Sequence, residues 1–237
     1  MKSNNDIING NSPELMEVLR AADLVAATDV AVLITGETGT GKDLLARRIH
    51  GSSRRQDKPF ITVNCAALPE NLAESLLFGH RKGAFTGANS QRAGFIAEAN
   101  GGTLLLDEIG EMPAPVQAKL LRFLESGEYQ PLGTVEARHA DVRLIAATNS
   151  NLNDAVEQGS FRSDLYFRLN VIPLEVPPLR KRTGDIACLL KELNHQLSAA
   201  HGMQAATYTP AAIAAMEKYP WPGNIRELRN FVERMLI

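Results

Sequence analysis

Cysteine is scarce in this chain. Only Cys65 and Cys188 occur among 237 residues. They show no regular spacing and no signal-peptide pattern precedes them, which argues against a disulfide framework and makes a reducing cytoplasm the expected compartment. Long apolar runs are also missing. None approaches the length needed to cross a membrane, although 44% of the residues are apolar and can fill a sizeable core. Neither charge dominates. A formal net charge of −2 is a poor electrostatic footprint for a free-standing nucleic-acid binder. The basic clusters Arg47-Arg48, Arg54-Arg55 and Arg180-Lys181-Arg182 are short and read as solvated faces. His50, His80, His139, His195 and His201 lack ligand-like spacing and read as ordinary positions. There is no internal repeat and no low-complexity segment. The length allows one large domain or a core with a small appendage.

What is present starts with one stretch, Gly36-Glu37-Thr38-Gly39-Thr40-Gly41-Lys42-Asp43. It follows the apolar run Val30 to Ile34 and precedes a helix-like segment, Leu44 to His50. Strand, glycine loop and helix with a lysine is the pattern that cradles phosphates. Glycines let successive N–H groups turn inward, and the helix start adds unpaired N–H groups and a positive dipole end. Lys42 adds a full positive charge. Asp43 stands where a Ser or Thr usually holds magnesium; a carboxylate in a first helical turn is favourable by itself.

The rest of the chain alternates strand and helix signals. Helices are expected over Pro13 to Ala27, Pro69 to Phe78, 113–126 and Phe161 to Arg168. Strands are expected over Phe60-Val63, Thr103-Leu106, Val142-Ala146 and Val171-Val176, with a loop or hairpin over Gly127 to Ala137. The strand 103–106 ends in Asp107-Glu108, where a nucleotide hydrolase needs acids: Asp107 for magnesium, Glu108 to polarise a water. A strand cap followed by surface charge is the structural alternative. Asn149, after the strand 142–146, either orients water or sits in a turn. Gly83-Ala84-Phe85-Thr86-Gly87-Ala88 is either a flexible surface turn or an exposed aromatic loop suited to a partner. Beyond Gly184 the pattern turns helical, with Thr209-Pro210 as a helix start and Asn224 and Glu227 as a capping box. The expected fold is therefore α/β, a parallel five-stranded sheet between helices over 1–179, followed by an all-helical lid over 180–237.

With these residues the chain resembles the AAA+ ATPase domain of bacterial sigma-54-dependent transcription activators. Residues 83–88 match that family's signature loop at every position. Phe78-Gly79-His80, Gly101 to Glu108 and Trp221 to Leu228 support the match. The resemblance implies a ring, a hexamer, with ATP and Mg2+ bound between subunits. It implies that Lys42 binds phosphates, Asp107 serves the magnesium and Glu108 is the catalytic base. Asn64 resembles the switch residue and Asn149 the first sensor. Arg162 and Arg168 resemble the arginines that enter a neighbouring subunit's site, and Arg226 the second sensor. Asn9 stands before Gly10 where the family usually has an aliphatic residue near the adenine. Family members usually add a regulatory domain before this core and a helix-turn-helix DNA-binding domain after it. The expectation is an excised core or a minimal protein with neither, so promoter DNA is met only indirectly.

The implied function is a mechanochemical ATPase that remodels sigma-54 RNA polymerase, pressing Phe85 and Thr86 onto the sigma factor. Two alternatives remain: an AAA+ remodelling ATPase with a different protein client, and a nucleotide-sensing ring without useful turnover.

Overall fold

The computed structural model describes residues 10–237, so Asn9 lies outside the described residues. Five strands form one parallel sheet: β1 (Val32–Thr35), β2 (Phe60–Asn64), β3 (Thr103–Asp107), β6 (Arg143–Thr148) and β7 (Ile172–Glu175), in the order β2-β3-β6-β1-β7. This is the expected sheet. Its strands read as continuous apolar runs because both faces are covered. Alternate residues serve opposite faces. Val32, Ile34, Leu105, Ile145 and Ala147 pack with Leu15 and Leu19 of α1 (Pro13–Ala26) and with Leu45 and Ile49 of α2 (Lys42–Gly51). Leu33, Leu104, Leu106, Leu144 and Ala146 pack against α3 (Glu70–Phe78), α5 (Ala114–Ser126) and α7 (Ser163–Leu169). Short helices α4 (Phe95–Glu98) and α6 (Leu152–Glu157) carry too little periodicity to be read from sequence. The stretch 127–137 opens a small hairpin, β4 (Glu128–Tyr129) with β5 (Arg138–His139).

The lid consists of α8 (Ile186–His201), α9 (Pro210–Lys218) and α10 (Asn224–Leu236) around Leu189, Leu190, Leu193, Trp221, Leu228 and Val232. Thr209 caps α9 as expected, its hydroxyl accepting the Ala212 N–H. The expected capping box at α10 is half correct. Glu227 accepts the Gly223 N–H at 2.8 Å, but Asn224 does not cap. It adopts φ 52° and sends a fully buried side chain elsewhere. Met235 faces solvent.

The parallel register determines what stands together. Asn64 lies beside Asp107, and Thr35 lies between Thr148 and Glu175. All five carboxyl ends therefore share one edge, where ligands of such sheets bind. At the opposite end Arg143 is buried and donates to the carbonyls of Val25 and Ala26 at 2.9 and 3.0 Å. It supplies a cation to the end of α1, whose last turn has no basic residue of its own. Arg55 likewise departs from a solvated face. It spans Asp29 and Asp141 and also donates to the Gly102 carbonyl.

Ile34→Ala, in the middle of the sheet, should cost about 2–5 kcal/mol. The check is a lower denaturant midpoint with an unchanged slope.

Candidate functional site

The glycine loop leaves β1 and curls before α2. Gly36, Gly39 and Gly41 have φ of 149°, 79° and 100°, conformations that L side chains rarely adopt. Gly39 has a second reason to lack a side chain: a Cβ there would lie 2.5 Å from the Gly223 carbonyl oxygen. No side chain caps the start of α2 at Gly41, so its first N–H groups suit an anion. Lys42 is buried; its Nζ donates to the Gly36 carbonyl at 2.8 Å and lies 3.9 Å from Glu108 Oε1. Burial pushes its pKa down, with Glu108 and Asp107 opposing. Thr40 is buried and donates to the Glu37 carbonyl. Asp43 is exposed in the first turn of α2.

The acids stand at the end of β3. Asp107 is held above the usual carboxylate range by burial, then by the neighbouring Glu108 charge. Glu108 has φ 50° and ψ 50°, a left-handed conformation that costs on the order of 1–3 kcal/mol outside glycine. Its Oε2 accepts the Asn149 N–H at 3.1 Å, while Asn149 Nδ2 donates to Thr38 Oγ1 at 2.8 Å. The structure thus brings Lys42, Glu108, Asn149 and the glycine loop together. Asn64 adjoins Asp107 in the register, but its side chain accepts the Ala66 N–H at 3.0 Å and makes no hydrogen bond to Glu108. Among the described residues no group of three or more His, Cys, Asp or Glu could hold a metal by itself. Asp107 fits magnesium, which takes one or two carboxylates and completes its shell with phosphate oxygens and water. Cys65 below the acids has its thiol pushed up to about 12 by burial, then by Asp107 and Glu108, so it stays protonated.

The lid closes on the outside of the loop, and here the sequence reading needs correction. In the cluster 180–182, Arg180 and Lys181 are exposed as expected, but Arg182 is buried and does not belong to a solvated face. Arg180 makes a bidentate pair with Glu37, at 2.8 and 2.6 Å. Arg182 is 1% exposed and donates to the Thr40 carbonyl at 2.9 Å. Asn224 donates to Glu37 Oε2 and to the Thr38 carbonyl, and accepts the Leu179 N–H. The Ile225 N–H binds the Gly39 carbonyl at 2.9 Å. The Arg180 guanidinium, then Asn224, lower the Glu37 pKa to about 2. Arg226 is exposed on α10, and its Cβ would sit 2.9 Å from a Cβ at Gly39. Asn tolerates positive φ better than most residues, but nothing local in the sequence marks Asn224 for these distant partners.

The remaining expected residues stand elsewhere. The loop 83–88 is closed by Gly83 N–H to the Ala88 carbonyl at 2.9 Å. Thr86 is exposed, Ala88 is buried, and Phe85 is partly buried. Its ring stands edge-on to His80 at 5.1 Å, and His80 Nδ1 is 2.7 Å from Ser75 Oγ. His80 is therefore the post on which the loop rests. Arg162 pairs with Asp164, and Arg168 donates to the Leu124 carbonyl. Both are exposed, and neither has a hydrogen bond to the glycine loop of its own chain.

A parallel sheet in this order, a glycine loop after β1 and a helical lid define an AAA+ P-loop NTPase fold. Residues 8–175 match the Sigma-54 interaction domain and residues 180–237 the AAA+ ATPase lid domain. The chain belongs to the sigma-54 interaction domain family. Regulatory protein AtoC of Escherichia coli is 50% identical over 96% of the chain and 49% of its own length. A Nif-specific regulatory protein of Rhizobium leguminosarum is 53% identical over 97% of the chain and 44% of its own length. NtrX from Brucella abortus, solved with ATP, superposes with a TM-score of 0.91 at 36% identity, covering 98% of this chain and 51% of that one. The chain spans about half the length of these relatives. No helix among the described residues is long and apolar enough to cross a membrane.

Because Glu37 is acidified by folding, its contribution is present above its ordinary value of 4.5 and is lost as pH falls towards about 2. Glu37→Gln should therefore lower Tm at neutral pH. Melts across the acid range should show the gap between the two proteins closing as Glu37 protonates.

Proposed function

We propose that the chain is an ATP-hydrolysing activator that remodels sigma-54 RNA polymerase to permit promoter opening. The observation that carries this reading is the meeting of Lys42, Glu108 and Asn149 beside an uncapped glycine loop at one sheet edge. Membership of the sigma-54 interaction domain family and the ADP and ATP complexes of NtrX support it.

In this reading residues 36–43 take the phosphates and Lys42 meets the outer ones. Asp107 holds magnesium, directly or through water. Glu108 takes the proton of the attacking water on its carboxylate, and Asn149 orients that water. ATP supplies the phosphoryl group whose transfer to water drives the cycle. Asn64 acts as the switch on Glu108, which requires it to leave the Ala66 N–H. Arg226 is the second sensor. Arg162 and Arg168 act in the site of a neighbouring subunit of a hexameric ring, where a planar guanidinium suits phosphoryl charge. Residues 1–179 are the nucleotide-binding core and 180–237 the lid, working in the cytoplasm. The loop 83–88 grips the sigma factor through Phe85 and Thr86, while promoter DNA is met only indirectly or through other domains.

The test is capture of purified sigma-54 by the chain with ADP and aluminium fluoride. The parent should capture it. Thr86→Ala should hydrolyse ATP at close to the parental rate and lose capture. Hydrolysis without capture by the parent would point to an AAA+ ATPase with a different protein client. Glu108→Ala should reduce turnover by at least about 100-fold, in line with loss of a general base; parental turnover equal to that of this variant would mean a binding ring. Specific activity should also rise with concentration across the assembly range. A flat profile in an initially monomeric sample would count against Arg162 and Arg168 acting between subunits.

A further inference from the structure

Three successive carbonyls of the glycine loop are held from outside by the lid. Asn224 Nδ2 binds that of Thr38 at 3.1 Å, the Ile225 N–H that of Gly39 at 2.9 Å, and Arg182 Nη2 that of Thr40 at 2.9 Å. No peptide among the described residues is cis. In a trans peptide the carbonyl and the following N–H point to opposite sides. A donor drawing the Thr40 carbonyl outward therefore turns the Gly41 N–H inward, at the mouth of α2. The same geometry turns the N–H groups of Gly39 and Thr40 away from the lid; that of Thr40 reaches the Glu37 carbonyl at 3.3 Å.

Asn224 and Ile225 hold the loop from α10, and Arg182 holds it from the turn that enters α8. Arg182 is an expensive way to make one hydrogen bond. It is 1% exposed, and its Nε and Nη1 have no partner. The neighbouring acid, Asp185, is already committed. Its two oxygens accept the N–H groups of Asn11 and Ser12 and the Ser12 hydroxyl. Burial lowers the Arg182 pKa, with Asp185 opposing. A buried guanidinium with unpaired donors destabilises a fold relative to an apolar side chain of similar volume. Stability alone does not account for it, and its one bond lands on the phosphate loop.

We propose that Arg182 is a positioning residue for nucleotide binding, aiming the loop's N–H groups at the phosphates and joining lid placement to phosphate affinity. This rests on the nucleotide reading above and names a residue that acts through the Thr40 peptide.

The test compares the full chain with Arg182→Met and Arg182→Lys, titrated with a fluorescent ADP and melted without nucleotide. Arg182→Met should keep or raise Tm and weaken ADP binding about tenfold, the scale of one charge-assisted hydrogen bond. Arg182→Lys, whose ammonium can still donate to the Thr40 carbonyl, should recover most of that affinity. Trp221, the single tryptophan, accepts the Asn224 N–H on its carbonyl at 2.8 Å, and its emission gives an independent lid signal. Its response to ADP should be lost in Arg182→Met and kept in Arg182→Lys. Parental affinity in Arg182→Met overturns the proposal. So does weakened binding that merely follows a fall in Tm, without rescue by lysine. If the methionine variant does not fold, Arg182→Gln, neutral and shorter, takes its place under the same criteria. A parent that binds no ADP overturns the nucleotide reading itself, whereas a binding parent with an unaffected variant overturns only the role of Arg182.

Discussion

A peptide group carries its donor and its acceptor on opposite sides. A loop that offers N–H groups to an anion must therefore send its carbonyls the other way, and those carbonyls need partners. In this chain they find them in the lid, through Asn224, Ile225 and Arg182. The arrangement gives the glycines two duties. They supply positive φ for the curl, and at Gly39 they leave room for the Gly223 carbonyl. Core and lid are thus joined at the phosphate loop itself, in addition to the lid's own apolar cluster around Trp221 and Leu228.

The same edge has to manage charge. Lys42 is buried, so water contributes little to its solvation, and the Gly36 and Glu37 carbonyls with Glu108 take over that role. In the nucleotide reading proposed above, phosphate oxygens in the loop would compete with Glu108 for this ammonium. Glu108 is held meanwhile by the Asn149 N–H, in a left-handed backbone conformation. Strain of that kind persists only where surrounding contacts over-determine it. Here the contacts come from the ends of two adjacent strands, β3 and β6.

The sheet and its carboxyl edge were legible in the sequence because they follow from local pattern. Continuous apolar strands ending in Asp107-Glu108 and Asn149 imply a buried parallel sheet, and the parallel register then gathers their ends without further information. Arg182, Asn224 and Arg143 were not legible, because each takes its meaning from a partner far away in sequence. Arg180-Lys181-Arg182 looks uniform in sequence, yet the short turn over 179–181 leaves Lys181 exposed, pairs Arg180 with Glu37 and buries Arg182. Phe85 reads from sequence as an exposed aromatic, whereas it is partly buried against His80, which looks in sequence like any other histidine. Asn64 was placed by register beside Asp107, whereas its hydrogen bond to Ala66 depends on the turn that follows β2.

That turn bears on how the two ends of the proposed machine are joined. Asn64 ends β2, residues 65–67 form the turn, α3 follows, and Gly79 breaks the helix with φ 83° directly before His80. His80 is then fastened three ways: its Nδ1 to Ser75 of α3, its backbone to Arg92, and its ring against that of Phe85. Gly79 has no room for a side chain, since a Cβ there would lie 2.7 Å from the Arg92 carbonyl oxygen and 2.8 Å from the Gly94 nitrogen. Asn64 and His80, the residue on which Phe85 rests, are thus joined along the chain by one short turn and one short, packed helix. Contiguity of this kind is a physical route between the two ends. Its physical content is that α3 buries Ala73, Leu77 and Phe78 in the same cluster as Val63 and Leu106, so the helix cannot tilt without disturbing the strands that carry Asn64 and Asp107.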